Sequence, residues 1–216
     1  MNNDRIIKQT KLNYNRIASE FSSKREHLTD DILYLKKYIN KDDSVLDLGC
    51  GNGRLIEMLQ SSNKYLGIDN SKGLIKIAKK RYPNFKFQQR DILKLNLKKK
   101  FNTIYSLSVI HHFPKKYHQK FIQIIKKHLN KNGKTIITVW KLNQKQFKSG
   151  EKISKNEILI PFKNSKGKIL AKRYIYLFKP QELKDLFKSN GFKIIKSGIN
   201  QRGKSRNYYI VVKNSI

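Results

Sequence analysis

Residues Val45 to Leu55 read VLDLGCGNGRL, an apolar run containing Asp47 and then glycines at 49, 51 and 53. A turn out of a strand needs one glycine or two. Three on alternate positions predict backbone at positive φ with no Cβ atoms, so that a ligand can lie against the main chain. The apolar run fits a buried strand. A helix starting near Gly53 then presents its free N–H groups to the same point. The spacing, Asp47-x-Gly-x-Gly-x-Gly, is not the G-x-G-x-x-G of dinucleotide folds.

The neighbouring sequence places that stretch in a sheet. Short apolar runs at 44–48, 64–68, 85–89, 102–109 and 134–140 are separated mostly by helical patterns at 53–61, 72–81 and 115–129. Strands alternating with helices predict a mostly parallel, doubly wound α/β sheet with right-handed crossovers and helices on both faces. The third helical pattern is bounded by Pro114 and by Asn132-Gly133, a sensible start and stop. FKIIKSGI and NYYIVVK close the chain as two strands. The loop between them is too short for a crossover, so they are antiparallel neighbours. Helical spacing also covers 3–24, 28–40 and 180–190. Between 141 and 180 the rhythm breaks into the Lys-rich LNQKQFKSGEKISKN, a hairpin turning at Asn164–Gly167, and the strand-like AKRYIYLF.

Ligands of open parallel sheets sit beyond the carboxyl ends of the strands. KYLGIDNS ends the second strand in Asp69, and FQQRDILKL places Asp91 just past the third. The intervals are equal, 22 residues each (69 − 47 and 91 − 69). A carboxylate at the end of the second strand accepts from a ribose diol. One at the third can accept from an adenine amino group, with Ile92 packing on the base. Each acid alone also fits a cap or a solvated turn. Together they describe a pocket for an adenosine carrying a charged tail.

The 216 residues suit one domain with a sizeable core, and 38% apolar content with 11 Phe and 11 Tyr argues against wholesale disorder. The net charge is +33 and the pI about 10.2. Such a field favours a polyanion partner. AT-rich coding also explains lysine outnumbering arginine beside abundant Asn, Ile and Tyr. MNNDRIIKQTKLN has no signal-peptide core, and no run approaches ~18 apolar residues, so the expectation is a cytoplasmic protein with no membrane partner. A lone cysteine, Cys50, excludes an intrachain disulfide and a cysteine zinc site, and no metal is expected.

From roughly 44 to 140, and in its terminal strand pair, the chain resembles class I S-adenosylmethionine-dependent methyltransferases. The resemblance implies a Rossmann-like, seven-stranded sheet and S-adenosyl-L-methionine as cofactor. It implies that Gly49, Gly51 and Gly53, with Cys50 as a small spacer, lie against the methionine part. Asp69, with Asn70 beside it, holds the ribose; Asp91 and Ile92 meet the adenine, and Leu107 joins that cofactor wall. Asp47 either orders the glycine loop or receives the cofactor's amino group. Tyr14 either closes the pocket or belongs to the apolar face of its helix.

YSLSVIHHFPKKYHQKF leaves the fourth strand, beside the sulfonium in such folds. Adjacent histidines on an extended segment point to opposite sides, which disfavours a metal site; packing and a helix cap are their plainer use. VIHHF followed by TVW resembles the tRNA wobble-uridine carboxymethyl methyltransferases, including the methyltransferase half of the animal AlkB-homologue fusion. YNRIASEFSSKR, ILIPFK, RYIYLF and NYYIVVK extend the resemblance over nearly the whole chain. It implies an active site containing Arg25, His111 or His112, and Trp140. The family arginine is often followed by an aromatic residue, where this chain has Glu26. Some relatives use a small zinc-binding activator subunit, so monomer and heterodimer both remain open.

The chemistry suits those residues. Methyl transfer from a sulfonium is an in-line displacement governed by positioning, and a carboxymethyl group is already ionised at neutral pH. Arg25 is either a fork for carboxylate or phosphate or a plain surface residue. Trp140 either stacks on the uracil or fills the core. Phe147, Phe162, Arg173, Tyr174 and the lysines of 141–180 either track and stack on RNA or form a solvated basic loop, and 200–206 (NQRGKSR) carries the same alternatives.

The expected organisation is one domain, 1–216. Within it, 1–42 forms N-terminal helices as a lid, 43–140 the cofactor core, 141–180 an acceptor-side insertion, and 181–216 the closing helix and strand pair. The expected function is methylation of the carboxylate of a carboxymethyl-modified wobble uridine, with tRNA as partner. The rivals are a small-molecule methyltransferase and a catalytically silent RNA-binding partner subunit.

Overall fold

A computed structural model describes residues 2–142, 144–200 and 207–214. The strands are β1 Ser44–Leu48, β2 Lys64–Asp69, β3 Lys86–Gln89, β4 Phe101–Leu107, β5 Leu129–Trp140, β6 Glu151–Ser154, β7 Glu157–Lys163, β8 Ile169–Tyr176, β9 Phe192–Asn200 and β10 Asn207–Asn214. Seven of them form one sheet in the order β3-β2-β1-β4-β5-β10-β9. β1 pairs in parallel with both β2 (Leu46 opposite Leu66) and β4 (Leu46 opposite Ile104). Strand order therefore reverses at β1, where a ligand crevice opens. β10 runs antiparallel to β5 and to β9, as the short terminal connection requires.

Both faces of the sheet are covered. Leu46, Leu48, Ile68 and Ile104 pack into one core cluster, and Val45, Tyr65 and Tyr105 into the opposite one. Two-sided burial accounts for the nearly continuous apolar runs of β1 and β2. The helices are α1 Asn3–Arg16, α2 Ala18–Ser23, α3 Asp30–Leu33, α4 Lys72–Arg81, α5 His118–His128, α6 Gln144–Ser149 and α7 Pro180–Lys188. No helix among the described residues is long and apolar enough to cross a membrane.

The structure departs from the helical periodicity in informative places. The run 3–24 breaks at Ile17 (φ −94°, ψ 5°), whose fully buried side chain packs with Phe162 and Ala171. The expected helix 28–40 is α3 followed by a 3-10 turn over Tyr34–Tyr38, and the Tyr105 hydroxyl donates to the Leu35 carbonyl at 2.8 Å. Only a 3-10 turn, Arg54–Met58, stands where a helix over 53–61 was expected. The strand β5 starts at Leu129, so Asn132, at φ 64°, bends a strand instead of ending a helix.

Residues 141–180 contain more structure than their composition announces. The hairpin is β7–β8, its turn closed by Asn164 N–H on the Lys168 carbonyl at 2.9 Å. The sequence reading missed α6 and β6; β6 adds to β7 in a second sheet, β6-β7-β8. Asn13 of α1, buried, donates to the Lys172 carbonyl at 2.7 Å and so docks the N-terminal helix on this sheet. Of the segment 200–206, residues 201–206 lie outside the described residues.

Candidate active site

A cavity of about 1090 Å³ opens beyond the carboxyl ends of β1, β2, β4 and β5. Gly49, Cys50 and Gly51 line it. The N–H groups of Gly49 and Cys50 both donate to the Ile68 carbonyl, at 2.7 and 3.0 Å. Gly51 N–H donates to Asp69 Oδ2 at 2.9 Å, and Ser71 N–H to Oδ1 at 2.8 Å. The loop is thus ordered by Asp69. Asp47 is held by the Tyr65 hydroxyl at 3.0 Å instead. Burial raises both carboxyl groups, Asp47 to about 7 with a further push from the charge of Asp69. Neither forms an ion pair among the described residues. A buried and a half-buried carboxylate at a cavity wall suit a ligand bringing positive charge and hydroxyl donors.

The glycines answer to protein neighbours as much as to a ligand. A Cβ on Gly49 would meet Val109 Cγ2 at 2.3 Å, and one on Gly53 would meet Phe87 Cζ at 2.9 Å. Gly53 does not line the cavity. At Gly51 the nearest atom to such a Cβ is Phe21 Cε1 at 4.0 Å, so that position faces open space. Asp91 also differs from expectation: its carboxylate accepts from Leu93 N–H at 2.9 Å, capping the 3-10 turn Ile92–Lys94, and it stands outside the cavity lining. Ile92, Asn70 and Leu107 do line the cavity.

Beyond β4 and β5 the wall changes character. His112 and Trp140 reach the cavity there, and Tyr14, Arg25 and Arg173 line it as well. Tyr14 Oη lies 2.8 Å from His112 Nε2, and His112 Nδ1 lies 2.8 Å from the Tyr174 carbonyl oxygen. A carbonyl only accepts, so Nδ1 carries the proton and Nε2 accepts from the tyrosine hydroxyl. Burial lowers His112 to about 4, which keeps the ring neutral at pH 7. His111 is fully buried and does not line the cavity; its Nδ1 is 3.4 Å from Trp140 N. The two histidines sit in a 3-10 turn, Ile110–His112, with ring centroids 4.5 Å apart. They lie side by side, not on opposite sides of an extended segment.

Arg25 follows α2 and holds its guanidinium 4.4 Å from the Phe21 ring centroid. Asn52, buried, donates to the Arg25 carbonyl at 2.9 Å and to Ser22 Oγ at 3.0 Å, fixing that corner. Burial, and next the charge of Arg173, lower Arg25 to about 10. Arg173 comes from β8 and stacks on Trp140 and Phe162, 4.8 and 5.1 Å from their centroids. The sequence leaves Arg173 either on an RNA-tracking surface or in a solvated basic loop; the structure puts it in the cavity lining. The signal was there in AKRYIYLF, where Ala171 and Arg173 share one face of a strand and Lys172 the other. Glu26 is exposed.

The family model of a methyltransferase domain matches residues 39–191. The chain belongs to the methyltransferase domain family. This methyltransferase is 26% identical over 209 residues to a tRNA (carboxymethyluridine(34)-5-O)-methyltransferase of Schizosaccharomyces pombe, covering 87% of this chain and 90% of that one. It is 33% identical over 147 residues to the tRNA (carboxymethyluridine(34)-5-O)-methyltransferase alkbh8 of Xenopus tropicalis, covering 66% of this chain and 22% of that one. The methyltransferase therefore spans most of the fungal relative and under a quarter of the amphibian one. Its fold matches the Burkholderia thailandensis 1,6-didemethyltoxoflavin-N1-methyltransferase, solved with its substrate and S-adenosylhomocysteine, at a TM-score of 0.70 and 16% identity, covering 100% of this chain and 92% of that one. Fold and family together make it a Rossmann-like class I, S-adenosyl-L-methionine-dependent methyltransferase.

Proposed function

We propose that this methyltransferase esterifies the carboxylate of a carboxymethyl-modified wobble uridine in tRNA. The observation that carries the reading is the lining of the cavity. Asp47 in β1 and Asp69 at the end of β2 line one part of it, while His112 follows β4, Trp140 ends β5, and Arg173 stacks on Trp140 close enough for its charge to act on Arg25. Carboxylates suited to a cationic cofactor and guanidiniums suited to an anionic acceptor thereby meet in one cavity.

When bound, S-adenosyl-L-methionine supplies an electrophilic methyl group on a sulfonium. Asp69 keeps acceptor capacity beyond its two amide bonds for the ribose hydroxyls. Gly49 and Gly51 offer main chain to the methionine end, with Asp47 facing its ammonium. Ile92, Leu107 and Asn70 pack about the adenosine, and Asp91 acts through the turn that presents Ile92. A carboxylate acceptor is ionised at neutral pH and needs no base. This agrees with His112 Nε2 being engaged by Tyr14; the histidine orients, and Trp140 stacks on the uracil. The segment 1–42 and the insertion 141–180 close the acceptor side, and the +33 charge draws the tRNA backbone.

Salt dependence tests this reading against a small-molecule acceptor. Methyl transfer to tRNA bearing 5-carboxymethyluridine is expected to weaken steeply between low and ~200 mM salt, because phosphate contacts release counterions. Rapid, salt-insensitive methylation of a neutral metabolite, with no transfer to the tRNA, contradicts it.

A further inference from the structure

We propose that Arg173 is the carboxylate-binding residue of the acceptor pocket and makes that pocket hold the anionic substrate in preference to the neutral ester it becomes. The inference rests on the carboxylate-acceptor reading and adds a residue and a discrimination to it.

Arg173 is 7% exposed and its guanidinium is hydrogen-bonded to the Tyr14 side chain, yet Nε and Nη1 have no hydrogen-bond partner among the described residues. A guanidinium keeps its charge at any physiological pH, and a buried charge without a counter-charge is unfavourable. Neither Arg173 nor Arg25 forms an ion pair among the described residues, and both line the same cavity. Lys141 and Lys145 add positive charge to the same lining. The carboxylates that line it are engaged elsewhere, Asp47 by Tyr65 and Asp69 by the amides of Gly51 and Ser71. Two guanidiniums facing one space are relieved by an anion between them. The rings of Trp140 and Phe162 set the Arg173 guanidinium so that its N–H groups meet a planar carboxylate without conformational loss.

The charge balance then favours release. An oxygen of the acceptor carboxylate forms a bond to the methyl carbon as the carbon–sulfur bond breaks, and the electron pair goes to sulfur. The carboxylate becomes a neutral ester and the sulfonium a neutral thioether, with no proton transferred. Arg25 and Arg173 lose the anion that screened them from each other, so the product is held less firmly than the substrate.

Trp140 is the single tryptophan of the chain, and its ring lies 4.8 Å from the Arg173 guanidinium, so intrinsic fluorescence reads the site directly. With S-adenosylhomocysteine saturating the cofactor half, wild type, Arg173→Met and Arg173→Lys are titrated with 5-carboxymethyluridine, its methyl ester, phenylacetate and phenylacetamide. The wild type is expected to prefer each acid over its neutral counterpart by about tenfold or more, the worth of a charge-assisted hydrogen bond. Arg173→Met loses the preference and Arg173→Lys keeps part of it, while calorimetry shows cofactor affinity unchanged in both. If Arg173→Met retains the acid preference, the inference is overturned and the uridine reading stands. If phenylacetate binds through Arg173 and 5-carboxymethyluridine does not, the inference holds and the uridine reading fails. Should Arg173→Met not fold, equal wild-type affinity for acid and ester overturns the inference.

Discussion

The hydroxyl of Tyr14 donates to Nε2 of His112 at 2.8 Å, joining the first helix to the turn that follows β4. The Tyr174 carbonyl fixes the tautomer of this buried histidine, and the Tyr14 bond satisfies its second nitrogen and ties the N-terminal segment to the cavity. Tyr14→Phe leaves Nε2 an unpaired acceptor, which costs about 1–3 kcal/mol. Chemical denaturation is expected to show a loss of that size, with methyl transfer reduced further than cofactor binding. Unchanged stability and turnover would mean that the two ends of the bond are independent.

Asp69→Ala removes the acceptor of Gly51 and Ser71 N–H groups as well as the proposed ribose partner. Cofactor affinity by calorimetry is expected to fall about tenfold or more. Asp69→Asn, which preserves one acceptor oxygen, is expected to fall less. Equal affinity in all three proteins would remove Asp69 from the cofactor site.

Two buried groups make stability depend on pH with opposite signs. Asp47 is raised from 3.8 to about 7, so its contribution in the cofactor-free protein is present below about 4 and is lost as pH rises through about 7. His112 is lowered from 6.5 to about 4, so its contribution is present above 6.5 and is lost as pH falls through about 4. Asp47→Asn is therefore expected to remove the decline on the alkaline side and leave the acid limb. Cofactor affinity is expected to strengthen as Asp47 ionises through about pH 7, and Asp47→Asn should flatten that rise. A wild-type affinity that weakens over that interval contradicts the ammonium assignment.

Gly49 and Gly51 both sit at positive φ (79° and 55°), but only at Gly49 does a Cβ strike Val109, at 2.3 Å. Backbone strain of about 1–3 kcal/mol applies to either alanine, and overpacking adds to it at Gly49. Thermal unfolding is expected to place Gly49→Ala well below Gly51→Ala. The reverse order would show that the loop is shaped by its ligand alone.

VLDLGCGNGRL made the fold legible because a continuous apolar run, a glycine turn and carboxylates at equal intervals all report on the backbone period and the strand ends. Asp47 and Asp69 reached the cavity for that reason. Asp91 did not, since a carboxylate just past a strand serves equally as a cap, and local sequence does not decide between the two. His112 and His111 were inseparable until the 3-10 turn set one ring at the cavity and the other behind Trp140. Arg173 was hidden by its neighbours: in a Lys-rich segment one more cation reads as surface. Only the pairing of β8 with β7, and their docking on α1, turns it inward. The helices were least legible where tertiary contacts override periodicity, as Ile17 and Leu35 do.

The central claim concerns the acceptor, and nucleoside mass spectrometry of tRNA from cells with and without the gene tests it most directly. The account predicts that wobble 5-carboxymethyluridine accumulates and its methyl ester disappears when the gene is absent, with both restored by the wild-type gene. Identical wobble-uridine profiles in the two strains would contradict it.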